Sequence, residues 1–281
     1  LKMSMLSSLR ADFDSYFDEV IDLLYSHLDK QLLPAKEHFL ASARYNVPTG
    51  KKIRGLLCVA AFKAFSTEQE QVVTTRMANL VGWCIELIQA GFLVHDDLID
   101  NSPMRRGRTS WPELQRAAGL GLISVNDGLH LVFCAQQILF SVLGETAALR
   151  EVCLQLVRLF GDCAHFTCLG QALDILANSA PQTSRPTENG ETETVTAPKV
   201  AKLAPGRLAG ITKERFAAIA KWKTSYYSFV LPVTAGMLLV STSSMHFYSG
   251  SCYASSFDVF PKLEISTTAL YSMSQDSQKI D

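Results

Sequence analysis

The sequence predicts an all-α protein, and four stretches carry that prediction. Leu9, Phe13, Phe17, Ile21, Leu24 and Leu28 recur at spacings of three and four, the stripe of an amphipathic helix over residues 9–30. Residues 72–99 form a long apolar-rich segment through Val72, Met77, Leu80, Val81, Cys84, Leu87, Ile88 and Phe92. Two more such segments follow, from Ile123 to Leu143 and from 149 to 178.

Taken in order, a second helix is expected over 31–44, with Pro34 near its start, where a missing N–H costs nothing. Pro48 and Gly50 mark a loop, and Lys51 and Arg54 lead from it into the apolar stretch Leu56–Phe65. Asn126-Asp127 stands near the start of the 123–143 helix. From Asn178 to Gly210, Pro181, Pro186, Gly190, Pro198 and Pro205 predict a flexible surface insertion without periodicity. Thr212 then reads as an N-cap. The helix after it carries Lys221 and Lys223 on different faces, and Pro232 is expected to kink or interrupt it. After Val240 the helical patterning stops, and residues 241–281 hold eleven serines. The expected organisation is therefore one helical domain over 1–240, carrying the insertion 178–210, and an atypical Ser-rich tail.

Composition narrows the function. A net charge of −1 gives no electrostatic argument for nucleic acid or an acidic membrane. Seven cysteines, an odd number with no CxxC, read as buried reduced thiols in a reducing compartment. No uninterrupted apolar run reaches membrane-spanning length; Phe229–Val240 is too short and contains Pro232. Asp12, Asp14, Asp18 and Glu19 argue against a signal peptide. A cytoplasmic location is expected, although a start at Leu1 leaves room for a lost targeting segment.

The stretch that carries chemistry is Gly91–Gly107. Asp96, Asp97 and Asp100 stand at i, i+1 and i+4, and Asp96 and Asp100 share a helical face. Aspartate pairs on helices are usually solvated. Here they end the apolar segment Leu87–Val94, which points to a site. Like charges on one face call for a cation, and hard oxygen donors suit Mg²⁺. Arg105 and Arg106 follow with the fork geometry that phosphate oxygens prefer. Together they read as a diphosphate held by metal on one side and guanidinium on the other. A metal-dependent phosphohydrolase built on His95-Asp96 would need more ligands, and His27, His38, His130, His165 and His246 supply no such spacing. Lys51 and Arg54, close to a helix N-terminus, make sense if an anion sits there, or else form a solvated basic turn. Gln89, two turns before Asp96, is a core residue or a substrate contact. Gln171 and Asp174, one turn apart among apolar neighbours, pair with a cation or satisfy the core.

These residues form an ordered series: Gly50-Lys51-x-x-Arg54, Glu86-Leu87-x-Gln89-Ala90, Asp96-Asp97-x-x-Asp100 with Arg105-Arg106-Gly107, Asn126-Asp127, Gly170-Gln171-x-x-Asp174, and Lys223-Thr224-x-x-Tyr227-Ser228-Phe229-x-Leu231-Pro232. In that order they resemble the farnesyl diphosphate synthases, head-to-tail trans-isoprenyl diphosphate synthases, from about residue 10 to 240. The resemblance implies a bundle of long antiparallel helices around a central cavity, a homodimer, and dependence on Mg²⁺, with Mn²⁺ as a substitute. It implies that an allylic diphosphate, dimethylallyl or geranyl, condenses with isopentenyl diphosphate to give farnesyl diphosphate. By position, Asp96, Asp97 and Asp100 resemble the metal-binding first aspartate-rich motif. Arg105, Lys223 and Thr224 resemble allylic-diphosphate contacts, with Lys223 near the carbocation and leaving group. Lys51, Arg54, Gln89 and Arg106 resemble the isopentenyl diphosphate site, and Gln171 and Asp174 the cavity lining.

Two departures from the pattern stand out. No DDxxD follows Asp100, where the family carries a second aspartate-rich motif, and the patterning stops near Val240. This implies missing last helices and weak or absent activity. Gly91 stands where the family usually has an aromatic residue, which implies a roomier chain-length pocket and a different product. A terpene synthase on the same scaffold is an alternative, but it would not need Lys51, Arg54 and Arg106. A non-catalytic regulatory subunit is the other, and the missing second motif favours it.

Overall fold

The computed structural model describes residues 3–66, 72–178, 184–186, 192–194 and 212–240. The expectations for the Ser-rich tail, and most of those for the insertion, fall outside these residues. Within the insertion, β3 (Ser184–Pro186) pairs antiparallel with β4 (Thr192–Thr194). The chain forms two compact units, one of residues up to Asp162 and from Ser228 onward, the other Cys163–Tyr227.

In the first unit, the expected helix over 9–30 is two helices, α1 (Met3–Ser15) and α2 (Phe17–Tyr25). The break has a cause seventy residues away. The Phe13 carbonyl accepts the indole N–H of Trp83 at 2.9 Å and the Tyr16 N–H at 3.2 Å, so an i→i+3 turn replaces the α-helical bond. Phe13 also stacks on Trp83, with ring centroids 4.5 Å apart. A 3₁₀ turn, Lys30–Leu32, capped by Asp29, leads into α3 (Leu33–Asn46), which has Pro34 in its first turn.

The centre of this unit is α5 (Thr75–Asp100), capped by Thr74 Oγ1 accepting the Met77 N–H. It packs between α4 (Ile53–Phe65) and α7 (Ile123–Leu139), and α10 (Leu231–Val240) packs against α4 and also reaches α5. Glycines set both close crossings. A Cβ on Gly55 of α4 would lie 2.9 Å from the Gly82 carbonyl oxygen, and one on Gly91 would lie 2.6 Å from the Gly128 carbonyl oxygen of α7. The expectation for Gly91 is thereby corrected. Its missing side chain is filled by a helix backbone, so it serves packing and opens no chain-length pocket.

The helix ahead of α10 is π-helical over Ala220–Val230, and the register returns to α immediately before Pro232, where a uniform α-helix would need the missing N–H. In the second unit, α9 (Lys213–Ile219, with Thr212 as N-cap) leads into this π-helical stretch, whose Trp222 and Tyr226 form one aromatic cluster with Phe166 of α8 (Arg150–Asn178).

The membrane expectation also needs correcting. Counted as whole helices, α5, Ile123–Gly144 and Ala147–Ala177 are long and apolar enough to cross a membrane by length and composition. Scattered polar residues hid this, because no run is uninterrupted. Most of the apolar window of α5 is buried within the protein. Of the six described cysteines, all free, five are buried and Cys168 is exposed. Burial pushes the thiols of Cys58 and Cys134 up to about 12, leaving them protonated and unreactive at neutral pH.

Candidate functional site

The acidic end of α5 is shaped by the loop and hairpin beyond it. Asn101, left-handed at φ 51°, stops the helix, and the Ser102 N–H bonds back to the Asp97 carbonyl at 2.9 Å. The chain then forms a two-residue hairpin, β1 (Met104–Arg105) against β2 (Arg108–Thr109). Its central residues Arg106 and Gly107 both have positive φ, 53° and 70°, the backbone of a type I′ turn. This turn sends the two arginines to different partners.

Arg105 returns to the acids. Its Nε and Nη2 donate to Asp97 Oδ1 at 2.8 and 2.5 Å, and Nη2 also reaches Asp96 Oδ2 at 3.1 Å. Asp97 is only 4% exposed. Burial raises its carboxyl above the usual range, Asp96 and Asp100 add to the rise, and Arg105 opposes it. Arg106 turns to the Pro48–Gly50 loop, where Nη1 donates to the Thr49 carbonyl at 2.8 Å and to its hydroxyl at 2.9 Å. A Cβ on Gly50 would lie 2.5 Å from that guanidinium, so glycine is what lets the arginine lie against the loop. Arg108 stacks on Tyr45, 3.8 Å from the ring centroid, and the Tyr45 hydroxyl donates to the Thr109 carbonyl at 2.7 Å. The hairpin is thus fastened to the C-terminal end of α3.

The same loop runs on through Lys51 into the first turn of α4, which carries Arg54. Lys51 is exposed. Arg54 donates through Nε and Nη2 to the Ser228 hydroxyl at 2.9 and 2.6 Å. Between them Lys52, left-handed at φ 52°, has its side chain 8% exposed, pairs with Asp14 at 2.8 Å and lies over Trp83. Lys52, Asn101 and Arg106 are the positive-φ residues other than glycine among the described residues, and all three border this region. Gln89, 5% exposed, has a buried Oε1 with no hydrogen-bond partner among the described residues.

The predicted cations and acids are therefore linked by contacts, Asp96 and Asp97 to Arg105, then Arg106 to the loop bearing Lys51. They do not all line the cleft between the hairpin and α3. A small cleft of about 30 Å³ is lined by Asp97, Arg105, Arg106, Thr49 and Tyr45, but not by Lys51, Arg54, Asp96 or Asp100. Among the described residues, no three His, Cys, Asp or Glu side chains converge on a cation position. Asp97, expected as a metal ligand, faces Arg105 instead. Asp96 and Asp100, half-buried and exposed on one face, suit an ion that takes one or two carboxylates and completes its shell with water and phosphate.

His95 points away from the acids, its Nε2 3.0 Å from the Val125 carbonyl oxygen, which removes the ligand that a phosphohydrolase reading requires. Asp127 is fully buried between His38 Nε2 at 2.6 Å and the Trp111 indole N–H at 2.7 Å, a structural tie between α3, α6 (Trp111–Ala117) and α7. Thr49, which holds Arg106, has no local signature in the sequence, and Ser228, which holds Arg54, stands in the last of the motifs above without a sign of that contact. Glu86 is a carboxylate inside an apolar helix, which is itself a signal.

In the second unit, Lys223 Nζ bonds Asp174 Oδ2 at 2.5 Å, so this acid pairs with a cation. The π-helical backbone at Trp222-Lys223 would lie 2.1 Å from a Cβ on Gly170, close enough that only glycine fits. Gln171 and Thr224 are half-buried in the same elements.

Residues 36–254 match the family model described as polyprenyl synthetase. The chain is 38% identical over 202 residues to the farnesyl pyrophosphate synthase of Gallus gallus, covering 72% of this chain and 47% of that protein. It is 30% identical over 245 residues to the farnesyl pyrophosphate synthase of Bos taurus (85% and 60%), and 34% identical over 197 residues to that of Nezara viridula (70% and 41%). It thus spans about half the length of the curated relatives it matches. With more than three quarters of its residues inside the family match, and with the acids, arginines and glycines of that match meeting in its fold, the chain belongs to the polyprenyl synthetase family.

Proposed function

We propose that this chain is a Mg²⁺-dependent prenyltransferase that joins an allylic diphosphate, dimethylallyl or geranyl, to isopentenyl diphosphate, giving farnesyl diphosphate. The observation that carries the reading is the pair of adjacent arginines: Arg105 clasps Asp96 and Asp97, while Arg106 holds the loop that bears Lys51. One hairpin thereby joins a set of acids suited to an ion to a set of cations suited to a phosphate.

Asp96 and Asp100 would hold Mg²⁺, or Mn²⁺ in its place. The ion would neutralise charge on the diphosphate leaving group. Arg105 orients the allylic diphosphate at the same point, and Lys223 and Thr224 are assigned to that diphosphate on their motif. The C1–O bond breaks, and its electron pair leaves with diphosphate. Cationic side chains stabilise that leaving charge. Lys51, Arg54 and Arg106 hold isopentenyl diphosphate, and Gln89 adds a buried polar atom beside it. The isopentenyl double bond then attacks C1, and the C2 proton passes to the departing diphosphate. No protein nucleophile is needed. Gln171 is assigned to the wall of the hydrocarbon cavity, and Asp174 holds Lys223. Leu122, Val125, Leu129 and Phe133, exposed along one side of α7, support a homodimer that covers them. Buried free thiols support a reducing, cytoplasmic location.

A second reading, a non-catalytic subunit, is favoured by Arg105 already bonding Asp96 and Asp97, two of the three acids expected to hold the ion. The test is incubation of the chain with labelled isopentenyl diphosphate and geranyl diphosphate, with Mg²⁺, Mn²⁺ or EDTA. Labelled farnesyl diphosphate that disappears with EDTA supports the prenyltransferase. Binding of both substrates without product, together with altered turnover when a full-length relative is added, supports the subunit. Cyclic or linear hydrocarbon from geranyl diphosphate alone would refute both.

A further inference from the structure

We propose that Glu86 is a positioning residue, which fixes the first turn of α4 from outside and so aims Lys51 and Arg54 at the diphosphate they bind; this rests on the site reading above. The first turn of any helix leaves N–H groups without helical partners, and a side chain at the N-cap usually accepts one. In α4 the N-cap is Lys52, whose side chain cannot accept a hydrogen bond and gives no cap. Glu86 of α5 takes over, with Oε1 accepting the Gly55 N–H at 2.8 Å.

The surroundings make this a fixed joint. Gly82 and Glu86 lie one turn apart on the same face of α5. A Cβ on Gly55 would lie 2.4 Å from Phe13 Cζ and 2.9 Å from the Gly82 carbonyl oxygen, so the first turn of α4 is pressed against that face and held there by the carboxylate. Glu86 is 4% exposed. Burial disfavours its charge, while the Gly55 N–H and the nearby Arg54, Arg106 and Lys52 favour it. A buried acid facing three cations, bonded to the backbone between Lys51 and the rest of α4, fixes the segment from which both substrate-binding cations extend. Ser228 then fixes the end of Arg54. Glu86 bonds the segment that bears Lys51 and Arg54, whereas Asp96 is bonded by Arg105 of the hairpin, so the effect falls on one of the two substrates.

The test uses the full chain as wild type, Glu86→Ala and Glu86→Gln. Calorimetric titration measures isopentenyl diphosphate, and separately geranyl diphosphate with Mg²⁺. Hydrogen exchange reads the amides of residues 53–56. Losing a helix cap corresponds to about fivefold typically and about thirtyfold at its upper end, so Glu86→Ala should weaken isopentenyl diphosphate binding by about five- to thirtyfold. It should leave geranyl diphosphate within about twofold and speed exchange at 53–56. Glu86→Gln keeps an acceptor oxygen and should recover most of both losses. Glu86→Asp, one methylene short of the Gly55 N–H, should behave like Glu86→Ala and serves where that variant does not fold. Equal weakening of both substrates, or unchanged isopentenyl diphosphate binding in Glu86→Ala, overturns the proposal. Unchanged exchange at 53–56 with weakened binding overturns the cap as its cause. A wild type that binds neither diphosphate overturns the site reading itself, a result that exchange at 53–56 cannot mimic.

Discussion

Replacing Arg105 with Met tests whether the acids of α5 are held by this one guanidinium. The side chain keeps its apolar length and loses three short hydrogen bonds, two to Asp97 and one to Asp96. Asp97, 4% exposed, would then be a buried carboxylate close to two like charges. Breaking a buried pair in this way costs about 3–5 kcal/mol, and the 32% exposure of Arg105 puts this case at the low end, about 3 kcal/mol. Arg105→Met/Asp97→Asn removes both charges and should cost about 1 kcal/mol, because no uncompensated charge remains. Urea unfolding at pH 7 can be followed through Trp83 and Trp111, both buried in the first unit. The cycle should give a coupling of about 2 kcal/mol or more. The penalty should also depend on pH with a defined sign. Asp97 titrates above 3.8 in the folded chain, so the folded state binds the extra proton between the unfolded and folded values. Arg105→Met raises that folded value further, so its cost is full above the variant's folded value and falls as pH drops from there to the wild-type folded value, below which the carboxyl is protonated in both folded chains. A single variant within about 0.5 kcal/mol of wild type, or two single effects that simply add, would refute the reasoning.

Gly91→Ala should destabilise by about 1–3 kcal/mol, because the added methyl meets the Gly128 carbonyl at 2.6 Å and backbone cannot yield cheaply. Gly161→Ala in α8, with open space at its Cβ, should instead gain up to about 1 kcal/mol in helix propensity. Thermal unfolding of the two should therefore move in opposite directions, and a Gly91→Ala variant as stable as wild type would restore the open-pocket reading. Glu86→Gln should be more stable than wild type at pH 7, because burial raises the carboxyl above 4.5 and the charge is unfavourable above that raised value. The advantage should fade as pH falls through the raised value and be gone below 4.5, where the wild-type acid is protonated in both states; a constant difference down to pH 3 would mean that charge is not its source.

Helix existence was legible wherever a stripe or a long apolar segment ran on, as in α5 and α8. The split of α1 from α2 was not, because the event that ends α1 is a hydrogen bond from Trp83, outside any local window. The candidate site divides in the same way. Spacing along the chain placed Asp96 and Asp100 on one face and put two arginines just beyond them. It could not say that Asp97 faces Arg105, or that Arg106 serves the Thr49 loop, since a left-handed turn at Arg106-Gly107 sends the adjacent side chains apart. Gly91 marks the limit most clearly. A glycine read as empty space and a glycine read as a helix crossing are the same letter, and only the Gly128 carbonyl opposite decides between them. Glu86 is the opposite case. A charged residue between Ile85 and Leu87 is improbable unless something compensates it, so the sequence already implied a partner. That partner is a backbone N–H at the start of α4, which carries no side-chain signature, and so the need was visible while its answer was not.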